Sequence, residues 1–252
     1  MSSAYRTRGG QPFSRYALTL WLRSPRGQRL LALEQRELRR VLPEVFGRSI
    51  LQIGSWGQGD SLLEAADMPH RVVVGTASAN GASALAEPEN LPIVSRSVDA
   101  VLLPHTLEFA RSAHNVLREA DRVLSDRGRL LILGFNPWSI WCLRERLGLF
   151  RYRAFPEGAH FVAMHRVCDW LELLGYEITL VRRYGVGFPW SQPTSVTFTL
   201  SLRSVLRPLM EAYMVVAKKR VIPLTVSRLP RRAQVRPLLA PVGLPGARAQ
   251  AE

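Results

Sequence analysis

Cysteine is nearly absent: Cys142 and Cys168 are the only two in 252 residues, and their spacing matches no metal or redox motif. That excludes a disulfide-stapled fold and a cysteine-rich metal site, and it makes a reducing, cytoplasmic compartment the simplest expectation. Apolar runs long enough to span a bilayer are missing as well. The opening residues, MSSAYRTRGG, lack the apolar centre of a secretion signal. No internal repeat is present. Acidic residues are scarce at both ends. Residues 1–48 hold 10 Arg/Lys against 3 Asp/Glu, a net +7, and residues 203–252 hold 10 against 2, a net +8. The middle, 49–202, holds 14 against 15 and is nearly neutral. Such ends suit a solvated basic surface, or contact with nucleic acid or anionic lipid.

Against these absences, 47% of the residues are hydrophobic, enough for one globular domain with a sizeable core. The most telling stretch is Ile50-Leu51-Gln52-Ile53-Gly54-Ser55-Trp56-Gly57-Gln58-Gly59. A short apolar run that breaks into G-x-x-G-x-G reads as a buried strand followed by a tight turn. Glycine permits positive φ there and lets a ligand approach the main chain. In open α/β sheets, such a turn lies at the carboxyl end of a strand, where nucleotide-like ligands bind. A nicotinamide dinucleotide is disfavoured. Its loop reads G-x-G-x-x-G with an acid about 20 residues on, and neither feature is here.

The rest of the pattern alternates strand and helix. Residues 1–15 read as disordered. Ser24-Pro25 has the form of a helix start, Ser as N-cap and Pro in the first turn. That helix runs to about Leu42, with Leu31, Leu38 and Leu42 on one face. Strand one (Ser49 to Ile53) is followed by the glycine turn, then by a short helix holding Leu62, Leu63 and Ala66. Arg71 to Val74 reads as strand two. Val98 to Leu103 is an almost continuous apolar run, as in a buried parallel strand. Ala113, Val116, Leu117, Ala120, Val123 and Leu124 recur at helical spacing. Ser125 to Gly128 reads as a turn before the strand Arg129 to Leu133. Residues 138–160 are an aromatic and basic insertion, a satellite core or a lid over a site. Met164, Val167, Leu171 and Leu174 form a further helical stripe closed by Gly175. Strands follow at Tyr176 to Val181 and Ala212 to Ala217, with a helical or mixed stretch at 194–208 between them. The tail 221–252 is basic, Pro-rich and expected to be disordered.

Five stretches, in order, resemble the class I S-adenosylmethionine-dependent methyltransferases of the type 11 group, over about residues 48–220. They are the glycine turn LQIGSWGQG, Glu87-Pro88-Glu89-Asn90-Leu91-Pro92, Ser97-Val98-Asp99-Ala100-Val101, His105-Thr106-Leu107-Glu108-Phe109, and the run Glu119 to Leu130. Trp21, Ser24-Pro25, Gly27, Leu30-Leu31, Glu34, Phe46-Gly47 and Ala217-Lys218-Lys219-Arg220 resemble a small bacterial subgroup of undefined substrate. The resemblance implies a three-layer Rossmann-like α/β fold, with a mostly parallel seven-stranded sheet and an antiparallel last strand. The segment 16–47 would form a helical appendage to the domain 48–220.

The resemblance also implies S-adenosyl-L-methionine as cofactor and assigns residues to it. Gln52, Gly54, Ser55, Trp56, Gly57 and Gly59 would hold the amino-acid end, helped by the N-terminus of the following helix. Glu87 and Pro88 would meet the adenine, and Leu103 and His105 would close strand four beneath the cofactor. No metal is implied. Two departures stand out. Gln52 replaces the family's acid two residues before the first glycine, and Gly75-Thr76-Ala77 follows strand two where the family has a ribose-binding acid. Each charge-assisted hydrogen bond removed weakens binding by about 1.5–3 kcal/mol.

For chemistry, His105 is a candidate general base or a residue packed on the cofactor. Asn136 either orients a substrate or caps the turn before Pro137. The function implied is methyl transfer to a small or medium-sized acceptor. Two alternatives are a non-catalytic binding or regulatory protein on a degenerate methyltransferase fold, and an RNA-directed enzyme using its basic termini. The sequence leaves the oligomeric state open.

Overall fold

The computed structural model describes residues 20–75, 81–147, 159–185 and 210–220. The expectations for residues 1–15, for 148–158 of the insertion, for 194–208 and for the tail 221–252 fall outside them. Helix α1 (Pro25–Val41) starts as its sequence dictates: the Ser24 hydroxyl accepts the Gly27 N–H at 3.1 Å and Pro25 occupies the first turn. Its inner face carries Leu30, Leu31, Glu34, Leu38 and Val41, all buried. Four of these five side chains are apolar; the fifth is an acid.

Seven strands form one sheet: β1 (Ser49–Ile53), β2 (His70–Gly75), β3 (Ala84–Leu85), β4 (Val98–Pro104), β5 (Leu124–Phe135), β6 (Tyr176–Tyr184) and β7 (Ala212–Lys219). Their order is β3-β2-β1-β4-β5-β7-β6. Strands β1 to β5 pair in parallel, and β7 runs antiparallel between β5 and β6. This is the sheet the resemblance implies. The connections are α2 (Thr106–Phe109), α3 (Ala113–Val123), α4 (Ile140–Arg146) and α5 (Met164–Leu173).

Alternation along the central strands makes two cores. Ile50, Ala100, Leu102, Leu131, Leu133 and Met214 pack with the apolar side of α1. Leu51, Val101, Leu103, Leu130, Ile132 and Val215 pack with Val116, Leu117 and Ala120 of α3 and with Val167 and Leu171 of α5. Each such aliphatic side chain stabilises the fold by about 1.5–3 kcal/mol on burial. At the amino edge of the sheet, Asp99 fixes the start of β1. Its Oδ2 accepts the N–H of Arg48 at 2.8 Å and of Ser49 at 3.2 Å.

Two expectations fail locally. No helix forms around Leu62, Leu63 and Ala66. That stretch is a series of turns in which Ser61, Leu63 and Ala66 donate to carbonyls three residues back. Gly59, at φ 53°, and Pro69 bound it. The interval is too short to offset helix nucleation, while Leu62, Leu63, Ala66 and Met68 are all buried. Ser125 to Gly128 is likewise no free turn. It is an irregularity inside the 12-residue β5, where pairing jumps from Val98–Leu124 to Ala100–Arg129.

Candidate active site at the carboxyl edge of the sheet

The chain leaves β1 at Gly54 with φ 108°, and the Gly54 N–H donates to the Val74 carbonyl at 2.8 Å. A Cβ at this position would lie 2.7 Å from Thr106 Oγ1, whose hydroxyl donates to the Ile53 carbonyl. The turn after β1 and the residue pair after β4 therefore interlock, and glycine is required on both dihedral and steric grounds. Gly57 and Gly59 also have positive φ, 84° and 53°. The helix expected after this turn is absent, so a helix N-terminus is not available to a carboxylate there; main-chain groups of the turn itself are.

Gln52 supports the turn from below. Its amide nitrogen donates to the carbonyls of Gly54 at 3.0 Å and Trp56 at 3.4 Å. Gln52 Oε1 and Ser55 Oγ are buried without a hydrogen-bond partner. Interiors rarely tolerate such atoms, and two of them at one glycine turn fit a site completed by a polar ligand.

His105 follows β4 in the left-handed region, φ 52° and ψ 19°. For a residue with a Cβ this costs roughly 1–2 kcal/mol, so the surroundings must hold it. Its ring lies between Trp56 and Phe135, with both ring centroids 4.0 Å away. Nε2 is 2.6 Å from Glu34 Oε1, and both side chains are fully buried. The Tyr184 hydroxyl donates to the same Glu34 oxygen at 3.3 Å, and the Trp56 indole N–H donates to Glu34 Oε2. On the other side, Glu108 Oε1 is 3.8 Å from His105 Nδ1 and accepts the Phe135 N–H at 2.7 Å. His105 Nδ1 and Glu108 Oε2 have no hydrogen-bond partner. Burial opposes charge on the imidazole, but the Glu34 carboxylate, with Glu108 behind it, outweighs burial and pushes it up to about 9. Burial first, then Glu34, raises the Tyr184 hydroxyl well above its ordinary value.

Gln52, Gly54, Ser55, Trp56 and His105 thus meet at one end of the sheet. The Trp56 side chain, only 1% exposed, packs inward under α1. Leu103 is buried in the opposite core, one residue before Pro104 ends the strand. Glu87 is exposed and Pro88 buried in the loop after β3. Glu89 and Glu119 hold that loop. Glu89 accepts the Arg111 N–H at 2.8 Å, and Glu119 the Leu91 N–H at 2.7 Å. Asn136 spans a turn. Its Nδ2 donates to the Met210 carbonyl at 2.7 Å and its Oδ1 accepts the Trp138 N–H at 3.2 Å. Residues 76–80, where the ribose-binding acid was expected and not found in sequence, lie outside the described residues.

Of the polar members of this cluster, Glu34 and Glu108 lie in stretches that carry the family resemblance but without a role there, and Tyr184 lies in none. Glu34 carries a usable signal, an acid within the apolar stripe of a helix, which demands a buried partner. Glu108 reads as part of a turn and is fully buried. Tyr184 has no local signal, because its partner is 150 residues away.

A family model described as "Methyltransferase domain" matches residues 57–132. The chain is 34% identical over 207 residues to the uncharacterized protein YafS of Escherichia coli (strain K12), covering 82% of this chain and 83% of that one. A methyltransferase dependent on S-adenosylmethionine from Thermotoga maritima superimposes with TM-score 0.55 at 16% identity, over 82% of this chain and 98% of its own. Geranyl diphosphate C-methyltransferase from Streptomyces coelicolor A3(2), solved with S-adenosyl-L-homocysteine, gives TM-score 0.55 at 13% identity, over 84% and 100%. At those identities the likeness is one of fold. Together with the sheet order and the glycine turn, these matches place the chain in the class I methyltransferases of the type 11 group, a family whose cofactor is S-adenosylmethionine.

Proposed function

We propose that this protein transfers the methyl group of S-adenosylmethionine to a small or medium-sized acceptor. The observation that carries the reading is the pair of unmatched buried atoms, Gln52 Oε1 and Ser55 Oγ, beside a turn that only glycine can make. An amide oxygen there accepts from an ammonium, and a hydroxyl either donates to a carboxylate or accepts. Both suit the amino-acid end of the cofactor, along with the main chain of Gly54, Gly57 and Gly59. Glu87 and Pro88 would bound the adenine, and Leu103 and His105 would form the floor at the end of β4. Trp56 would serve by walling the site beneath α1.

The cofactor, when bound, supplies an already activated methyl group. The chain's own task is to hold the acceptor in line and to exclude water. Burial of His105 among Trp56, Phe135 and Glu34 supports the second task. His105, fully buried and, against the cost of that burial, with its imidazole pushed up to about 9 by Glu34 and Glu108, suits packing beneath the cofactor better than taking a proton from the acceptor. The side chain of Asn136 already bridges two main-chain groups, which favours its turn-capping role over contact with an acceptor. Isothermal titration of the full chain with S-adenosylmethionine tests the reading. Saturable binding is expected, followed by transfer of labelled methyl to fractionated small metabolites. No detectable heat at millimolar cofactor would leave only the fold.

A further inference from the structure

Helix α4 has an anchored inner side. Asn136 Oδ1 accepts the Trp138 N–H, and Ser139 caps the helix: its hydroxyl accepts the Cys142 N–H at 3.2 Å and its carbonyl the Leu143 N–H at 3.0 Å. Cys142 is buried, and Trp141 packs against the core that holds Trp56 and Phe135. The Arg26 guanidinium lies over the Trp141 ring, 3.9 Å from its centre, and Arg26 Nε donates to Glu211 at 2.9 Å.

The outer side is apolar and open. Leu143 and Leu147 stand one turn apart and are 52% and 63% exposed; Trp138, just before the cap, is 66% exposed. Trp138 and Leu143 hold the two positions around an N-cap that a hydrophobic staple brings together, yet both stay mostly in solvent. By contrast, the exposed Phe46, Leu85, Val94 and Leu173 each stand on a different segment of the chain. Three large apolar side chains gathered at one anchored helix mark an interaction surface.

The charge of the chain says with what. The formal net charge is +14, and residues 138–160, which contain α4, carry four arginines against two glutamates among five aromatic residues. Tryptophan, leucine and arginine together are the composition of elements that lie in a bilayer interface, with apolar side chains at the acyl boundary and guanidinium groups at the headgroups. A few apolar side chains hold a bilayer only weakly. Stable attachment takes a second attraction, which excess positive charge supplies at an anionic surface. Among the described residues no helix is long and apolar enough to cross a membrane.

We propose that the outer face of α4, with Trp138, Leu143 and Leu147, docks this protein on an anionic membrane surface. Because α4 follows β5 at the carboxyl edge of the sheet, docking turns the edge that carries the glycine turn toward the bilayer.

Sedimentation of the full chain with lipid vesicles tests the proposal. Vesicles of phosphatidylcholine and phosphatidylglycerol in equal parts should carry the protein down, vesicles of phosphatidylcholine alone should not, and added salt should weaken the binding. The triple variant Trp138→Ser, Leu143→Ser, Leu147→Ser should bind the anionic vesicles about tenfold more weakly or worse. All three positions are exposed, so its circular dichroism should match the wild type. Trp138→Phe decides should the triple variant not fold: brominated acyl chains should quench the tryptophan fluorescence of the wild type, and this variant should lose most of that quenching. Absent binding to anionic vesicles, equal binding to neutral ones, or full binding by the triple variant, which would assign attachment to the basic ends, overturns the proposal. So does quenching unchanged in Trp138→Phe. A dimer in sedimentation velocity that the triple variant loses would give the face to a second copy instead. No arm uses the cofactor, so the outcome is independent of the methyltransferase reading.

Discussion

Trp56 donates its indole N–H to Glu34 Oε2, so the glycine turn after β1 is tied to the inner face of α1 by a buried charge-assisted hydrogen bond. The same indole lies against the His105 ring. One tryptophan therefore links the turn expected to hold the cofactor to the acid and the imidazole behind it. Trp56→Phe keeps an aromatic ring and deletes the donor. It should cost about 1.5–3 kcal/mol, the range for a hydrogen bond to a charged group, read from urea unfolding with unchanged slope. A loss below about 0.5 kcal/mol would mean that Glu34 finds another donor.

Gly54→Ala should act on both stability and binding. At φ 108° a side chain is strained, and its Cβ would meet Thr106 Oγ1 at 2.7 Å. A loss of roughly 1–3 kcal/mol is expected from the strained backbone. Calorimetry should also show weakened S-adenosylmethionine binding, because the turn must shift. Wild-type affinity in the variant would place the cofactor elsewhere.

Stability should fall in mildly alkaline solution. His105 is raised in the folded protein to about 9 from 6.5, so the fold binds its proton more tightly than the unfolded chain does. The resulting contribution is complete below pH 6.5. It is lost progressively as pH rises from there through about 9. Its full size is on the order of 3 kcal/mol at 1.36 kcal/mol per pH unit. Unfolding free energies at pH 6.5 and 9.5 should differ in that sense in the wild type and differ far less in Glu34→Gln.

Asp99→Ala should separate fold from site. The carboxylate accepts the N–H groups of Arg48 and Ser49 at the amino edge of β1, the end of the strand away from the glycine turn. Its removal should cost about 2 kcal/mol, from two main-chain donors left without their partner. Cofactor affinity of the folded fraction should be unchanged. A parallel loss of affinity would mean that the register of β1 against β4 controls the turn.

Much of the architecture was legible because it is local. Ser24-Pro25 fixes where α1 begins, and the apolar runs at 50–53, 98–103 and 130–133 read as buried parallel strands because both their faces are covered. Local reasoning failed where a segment was short and buried. The residues around Leu62 and Leu63 have a helical look, yet they are held by burial between Gly59 and Pro69. The stretch Ser125 to Gly128 looks like a turn because its composition is that of one, but pairing with β4 on either side draws it into β5.

The site divides in the same way. The amino-acid order by itself determined the glycine turn, the strand that ends in it and the presence of His105 just past β4, since each depends on backbone freedom and on a pattern of neighbours. Only the tertiary structure decided what His105 faces. Glu34 lies 71 residues before it and Tyr184 lies 150 residues beyond Glu34. They converge because α1 packs on one side of the sheet while β6 ends beside it. An acid on an apolar helix face announces that it needs a partner, but which partner it finds is fixed by packing across the whole chain.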